Sequence, residues 1–234
     1  VIASSERGVN SIFREALGAE FDRLQPKLQR RFGFSSTDGV AQIGNGVMHE
    51  VWRGPFLTLP FLLLGSTRRV LSPSRGTNVP FTISNHAYVD GFGRETVTFS
   101  RRFRMKRRIR AFDATMIFSR QRKVIVDYLG THQHLAVDLV CSVDDQGALC
   151  MTSGEQRFYE GRIGFRFPKL FSGVATVREW WDEETERFHI DVDVRNHYVG
   201  RLFGYRGSFT VTEFPCRPDD IPVDVRPIRE ECRE

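Results

Sequence analysis

The stretch 187-RFHIDVDVRNHY-198 decides the fold class. Phe188, Ile190, Val192 and Val194 share one phase of a period-two pattern, and Arg187, His189, Asp191, Asp193 and Arg195 share the other. Side chains alternate across an extended strand, so the segment has one core face and one wet face. The same period recurs from about residue 40. It predicts strands near 40–53, 79–90, 94–105, 108–119, 123–128, 133–143, 147–159, 173–181, 187–198 and 204–213. Several are joined by short turns, 90-DGFG-93, 144-DDQG-147 and 182-DEET-185. Links this short join antiparallel neighbours, because a parallel crossover takes about a dozen residues or more. So many strands without interleaved helices predict a mainly β (α+β) protein, built on a large antiparallel curved sheet or β-barrel.

Upstream of the strands the period changes. Phe13, Leu17, Phe21, Leu24 and Leu28 recur at spacings of three and four, with Asn10 or Ser11 placed to cap an N-terminal amphipathic helix. Pro26 breaks or kinks that helix and Gly33 closes its second piece. Its apolar stripe needs a surface, which the sheet supplies. The run 55-PFLTLPFLLLG-65 is too short to span a bilayer and is interrupted by Pro60. It reads as a short helix or buried loop: a lid over a barrel mouth, a plug within it, or a patch that touches membranes, followed by Arg68 and Arg69. After Pro215, the prolines 218, 222 and 227 predict an extended arm along the surface. Residues 1–234 are expected to form one domain with no transmembrane segment.

Twenty phenylalanines against five tyrosines and three tryptophans imply a thick core or an apolar cavity wall. The formal charge of +5 comes almost wholly from arginine, a bias that a GC-rich coding genome also produces. A mild positive balance admits anionic ligands. The densest charge, 101-RRFRMKRRIR-110, reads as a hairpin with Phe103 and Ile109 as inward anchors: either a solvated hairpin or a rim attracting carboxylate, phosphate or anionic lipid. Acidic residues on nearly every other strand argue against nucleic acid as a partner. Four cysteines without Cys-x-x-Cys spacing, and no secretory signal, fit free thiols in a reducing cytoplasm.

Several segments together, SIFREALGAEFDRLQPKLQRRFG, 90-DGFGRETVTFSRRF-103, 112-FDATM-116, 127-DYLGTH-132 and 196-NHYVGRLFGYRGSF-209, resemble a bacterial family known as domain of unknown function 4166. The resemblance runs from about residue 10 to 214, leaving 215–234 as the arm. It implies a possible reductase-like partner, since members occur as the tail of larger chains with a reductase-like nucleotide-binding domain. It brings no site residues.

Candidate sites therefore come from the residues themselves. In 130-GTHQHLAVD-138, a strand would point His132, His134 and Asp138 the same way, as a divalent-metal site or as part of a proton-transfer site would need. The stretch resembles the first half of a cupin signature, but the second half is missing and Gly130 lies too close to His132. Tyr128 and Tyr205 are placed to donate hydrogen bonds into a cavity, and His49 and His197 are spare histidines. Arg53, Arg101 and Arg206 are candidates for meeting an acidic group, and Phe56, Phe61 and Phe103 for an apolar body. The leading expectation is a hydrophobic or amphipathic small molecule bound in the barrel, with cofactor-independent cyclase or isomerase chemistry. The alternatives are a cupin-like metal enzyme and an accessory module of a reductase.

Overall fold

The computed structural model describes residues 9–54, 75–106, 108–168 and 172–234. Its strands are β1 (Val40–Arg53), β2 (Gly76–Val89), β3 (Glu95–Arg104), β4 (Ile109–Ser119), β5 (Val124–Leu129), β6 (Leu135–Val143), β7 (Leu149–Glu160), β8 (Ile163–Arg166), β9 (Val174–Asp182), β10 (Arg187–Asn196) and β11 (Gly200–Pro215). The hydrogen-bonded order is β6-β5-β4-β3-β2-β1-β11-β10-β9-β7, and β7 pairs back onto β6. Ten strands thus close into an antiparallel β-barrel, which removes the sheet's free edges. Each of the ten expected strands is present. The added β8 is a short flap on the upper part of β7, beyond the stretch that pairs with β9. All four of its residues are exposed, so its sequence carries no core face to read.

β10 shows why the alternation works. Phe188, Ile190 and Val192 are buried, while Arg187, Asp191 and Arg195 face outward. Close approach across the interior is set by small residues: a Cβ on Gly44 would lie 2.6 Å from Ile83 Cγ2 and 2.9 Å from Phe209 Cδ2. Only glycine leaves room there for the Phe209 ring. At β6–β7 the turn Asp144–Gly147, with Gly147 at φ 78°, pairs Cys150 with Ser142 and Met151 with Cys141. Cys141 and Cys150 therefore lie out of register, on opposite faces, as free thiols.

The N-terminal segment is three pieces: α1 (Ile12–Leu17), a 3-10 turn (Gly18–Arg23) and α2 (Pro26–Phe32). Ser11 Oγ accepts a hydrogen bond from Arg14 N at 3.1 Å and caps α1. Gly18, at φ 55°, ends α1 more than two helical turns before Pro26, a stop that the spacing of apolar residues did not reveal. Pro26 then sits in the first turn of α2, where a missing N–H costs nothing. α1 lies against β3 to β6 and α2 against β9, so together they cover one end of the barrel, the lower end. Phe13 packs edge-on against Phe32 at 4.7 Å and Phe99 at 6.1 Å. The Gln25 side chain exchanges hydrogen bonds with the Trp181 backbone at 2.7 and 2.9 Å and fixes α2 to β9.

After β11 the chain is closely held against the barrel. Residues 216–234 cross the outer face and bury Tyr88, Tyr128 and Tyr159. Tyr128 Oη donates to Arg233 O at 2.8 Å, and Thr131 O accepts from Ile228 N at 2.7 Å. Glu231 is clasped by Arg229 and Arg233. Burial opposes its charge, but the Arg233 hydrogen bonds outweigh this and bring its carboxyl down to about 2.

Candidate functional site

Phenylalanines fill only part of the barrel. Phe103 packs against Phe81 and against Tyr205, each at 5.1 Å, and Phe188 stacks on Phe209 at 5.7 Å. A cavity of about 290 Å³ remains, walled chiefly by inward side chains of β4 to β7, β9 and β10, among them Met116, Val137, Leu139, Met151, Ile190 and Val192. That volume lies near the lower end of the roughly 300–1,000 Å³ typical of ligand pockets.

Seven polar side chains line this wall: Ser153, Gln156 and Asn196, each bonded to nearby backbone, and Arg101 on β3, Asp127 on β5, Glu179 on β9 and Tyr205 on β11. Strand phase places them. Asp127 pairs across the ladders with Met116 and Val137, and Tyr205 with Val192 and Val51, all core positions. Glu179 is ion-paired with Arg31 of α2, both almost fully buried. Arg31 also donates to Gln42 Oε1 and Asn85 Oδ1, each at 3.3 Å, and its guanidinium lies 5.1 Å from the Phe209 ring centroid. This acid is answered by its own cation.

Asp127 is not. It is 7% exposed, and its Oδ1 is buried with no hydrogen-bond partner among the described residues. Arg101 is 9% exposed and its Nε is in the same condition. The Arg101 guanidinium lies 4.8 Å from the Phe112 ring centroid and 5.4 Å from that of Phe99. Burial pushes the Asp127 carboxyl up to about 7, against the attraction of Arg101, which lowers it. Burial also raises the Tyr205 phenol, with Arg101 again opposing. Leaving a buried polar atom unpaired costs about 1–3 kcal/mol, so two of them facing one cavity require an explanation.

Of the residues singled out in the sequence, the cavity wall unites Arg101 and Tyr205, and Phe103 backs Tyr205. A register shift between Met48 and Glu50 puts Arg53 opposite Phe203, in the inward phase above the cavity. Arg206 points outward and pairs with Glu50 at 2.9 Å. Tyr128, expected to donate into a cavity, is on the outer face beneath the arm. Ile109, expected as an inward anchor, is 59% exposed. Phe56, Phe61 and the run 55–65 with Arg68 and Arg69 lie outside the described residues.

The His-x-His arrangement is also corrected. β6 begins at Leu135, with Gln133 just ahead of it at φ 52°; the His132 and His134 rings stack at 5.5 Å but do not converge with Asp138. His132 Nδ1 meets Thr131 Oγ1 at 2.9 Å, and His134 Nδ1 lies 2.9 Å from Glu160 Oε2 and 3.0 Å from Arg229 Nη1. Asp138 is on the outer face of β6, held by Arg122 and Arg157, each at 2.6 Å. Burial favours its neutral form, but hydrogen bonds from Arg157 and Arg122 prevail and keep it below the usual carboxylate range. Among the described residues, no three His, Cys, Asp or Glu side chains are grouped to hold a metal ion.

Asp127 and Glu179 were missed as site residues. The signal was present: both occupy the core phase of their strands, in Ile125-x-Asp127-x-Leu129 and Ala175-x-Val177-x-Glu179. An acid at an apolar phase of a barrel strand points inward.

The family described as Domain of unknown function (DUF4166) matches residues 24–209. The chain belongs to this family. It is also 32% identical over 205 residues to "Uncharacterized protein YndH" of Bacillus subtilis (strain 168), covering 88% of this chain and 98% of that relative. No solved structure matches. Arg101, Asp127, Glu179 and Tyr205 fall inside the DUF4166 match, whereas α1 and the C-terminal arm fall outside it.

Proposed function

We propose that the barrel binds a small amphipathic molecule, apolar in body and carrying one oxygen-bearing polar group, and that Asp127 exchanges a proton with it. One observation carries this reading: Arg101 and Asp127 present buried, unpaired polar atoms to an apolar cavity of about 290 Å³. A guest oxygen accepting from Arg101 Nε would satisfy the first orphan, and a proton shared with Asp127 Oδ1 the second. A carboxyl poised at about 7 serves as acid and base with little driving force lost in either direction. With Tyr205 as a neighbouring hydroxyl donor, this set suits a double-bond shift or ring closure next to a carbonyl. Asp127 would take a proton from one carbon and return it to another, while Arg101 holds the oxygen on which negative charge develops. The chemistry draws on these side chains alone.

Two fluorescent probes of similar shape test the binding step: anilinonaphthalene sulfonate, an anion, and N-phenylnaphthylamine, which is neutral. Both are expected to bind the native barrel. Arg101→Leu is expected to weaken the sulfonate about tenfold or more, the loss of one charged hydrogen bond, and to leave the neutral dye unchanged. Failure of both dyes to bind, or an equal response of the two to Arg101→Leu, would refute the reading.

A further inference from the structure

The two ends of the barrel differ in charge and in apolar exposure. Strands β1, β3, β5, β7 and β10 run away from the helices, so the β3–β4, β5–β6, β7–β8 and β10–β11 connections share the upper end. Those four connections contain no acid; Glu160 ends β7 beside one of them and meets His134, and Glu231 of the arm lies against Gln133 in another. Exposed Arg104, Lys106, Arg108, Arg162, Arg195 and Arg201 stand in or beside them. Asp193 is the acid that Arg195 and Arg201 contact. At the lower end, the connections 90–94, 144–148 and 183–186 carry Asp90, Asp144, Asp145, Glu183, Glu184 and Glu186, set against Arg94 and, in the connection 120–123, Arg120, Arg122 and Lys123. Cations thus outnumber acids on the upper rim, whereas the lower end mixes both signs.

Apolar side chains are exposed on the same rim. Ile109 (59%), Ile163 (61%) and Tyr198 (65%) stand at three separate connections, with Phe165, Val174 and Val199 around them. Val199 and Phe167 belong at once to this rim and to the wall of the cavity. A solvated charged surface has no use for aliphatic groups at its tips, and a nucleic-acid surface would favour aromatic platforms over isoleucine and valine. Cations beside protruding apolar side chains match a lipid surface, where phosphates meet the first and the acyl boundary takes the second.

We infer that the upper rim docks on an anionic phospholipid bilayer, with Ile109, Ile163 and Tyr198 entering the headgroup boundary and Arg104, Lys106, Arg108 and Arg162 facing lipid phosphates. The inference stands apart from the chemistry proposed for Asp127. It places the cavity wall at Val199 and Phe167 next to the membrane, a source of amphipathic guests.

Co-sedimentation of the full chain with vesicles tests it. The protein is expected to pellet with vesicles of phosphatidylglycerol and phosphatidylcholine in equal parts, to stay in solution with phosphatidylcholine alone, and to be released by high salt. Each cation near such a surface contributes about fivefold, so Arg108→Gln with Arg162→Gln is expected to weaken binding about 30-fold. Ile163→Asn with Tyr198→Ser is expected to weaken it several-fold with the salt dependence kept. All four positions changed are exposed, and unchanged N-phenylnaphthylamine binding shows that barrel and cavity persist. Equal binding to both vesicle types, no binding to the anionic ones, or displacement from them by duplex DNA or RNA at low concentration would overturn the inference. Loss of dye binding with vesicle binding intact would instead refute the cavity reading alone.

Discussion

Asp127 and Asp138 stand on neighbouring strands, one pairing position apart, and face opposite ways. The outward one lies beneath two arginines that also hold Glu155, and its carboxyl is kept charged. The inward one has the apolar cavity before it and Arg101 at a distance, and its carboxyl is driven toward neutrality. Glu179 supplies the control, since it too faces inward but Arg31 answers it. Inward direction alone therefore does not mark a site. A barrel that can supply a buried cation to one interior acid and withholds it from another has kept the second available for something that enters.

The largest effect should come from breaking the answered pair. Arg31→Leu leaves Glu179 charged and buried, and is expected to cost about 3–5 kcal/mol in urea unfolding; adding Glu179→Leu should recover most of it. Next, Asp138→Ala at neutral pH should cost about 1–3 kcal/mol, because it removes one of the two carboxylates that hold Arg122 and Arg157. The Asp138 folded-state value lies below the unfolded one of about 3.9, so its contribution is present above that pH and vanishes as pH falls through the depressed value. Asp127 has the opposite sign. Its folded value of about 7 exceeds the unfolded one, so the folded state holds a proton that the unfolded chain releases. Its contribution is full below pH ~4 and is lost as pH rises through about 7. Asp127→Asn should therefore match the native protein near pH 4 and exceed its stability by up to about 4 kcal/mol at pH 8. Destabilisation at pH 8 would mean that Asp127 is a paired structural group after all.

Most of the fold was legible because a closed barrel obeys one rule throughout: alternate residues point to the core. That rule located all ten barrel strands and the inward phase of β10. It failed where something interrupts the phase. Gln133, in the left-handed region, puts both histidines ahead of β6, and a register shift near His49 interrupts the alternation along β1. β8 has no core face at all, and Gly18 ended α1 through backbone conformation, which apolar spacing does not encode. The site was half legible. Arg101 and Tyr205 drew notice for their chemistry, but Asp127 needed the rule applied in reverse, as a charge in an apolar phase. Whether such a charge is answered from across the barrel, as Arg31 answers Glu179, depends on contacts distant in sequence.

The central claim is that the barrel keeps room for a guest beside Asp127. Val192→Phe places a larger side chain into that room, and N-phenylnaphthylamine titration together with urea unfolding reads the result. If the space is there, the variant folds within about 1 kcal/mol of the native protein and no longer binds the dye. If it instead loses about 1–3 kcal/mol to overpacking while dye binding is unchanged, the interior is filled and the account is wrong.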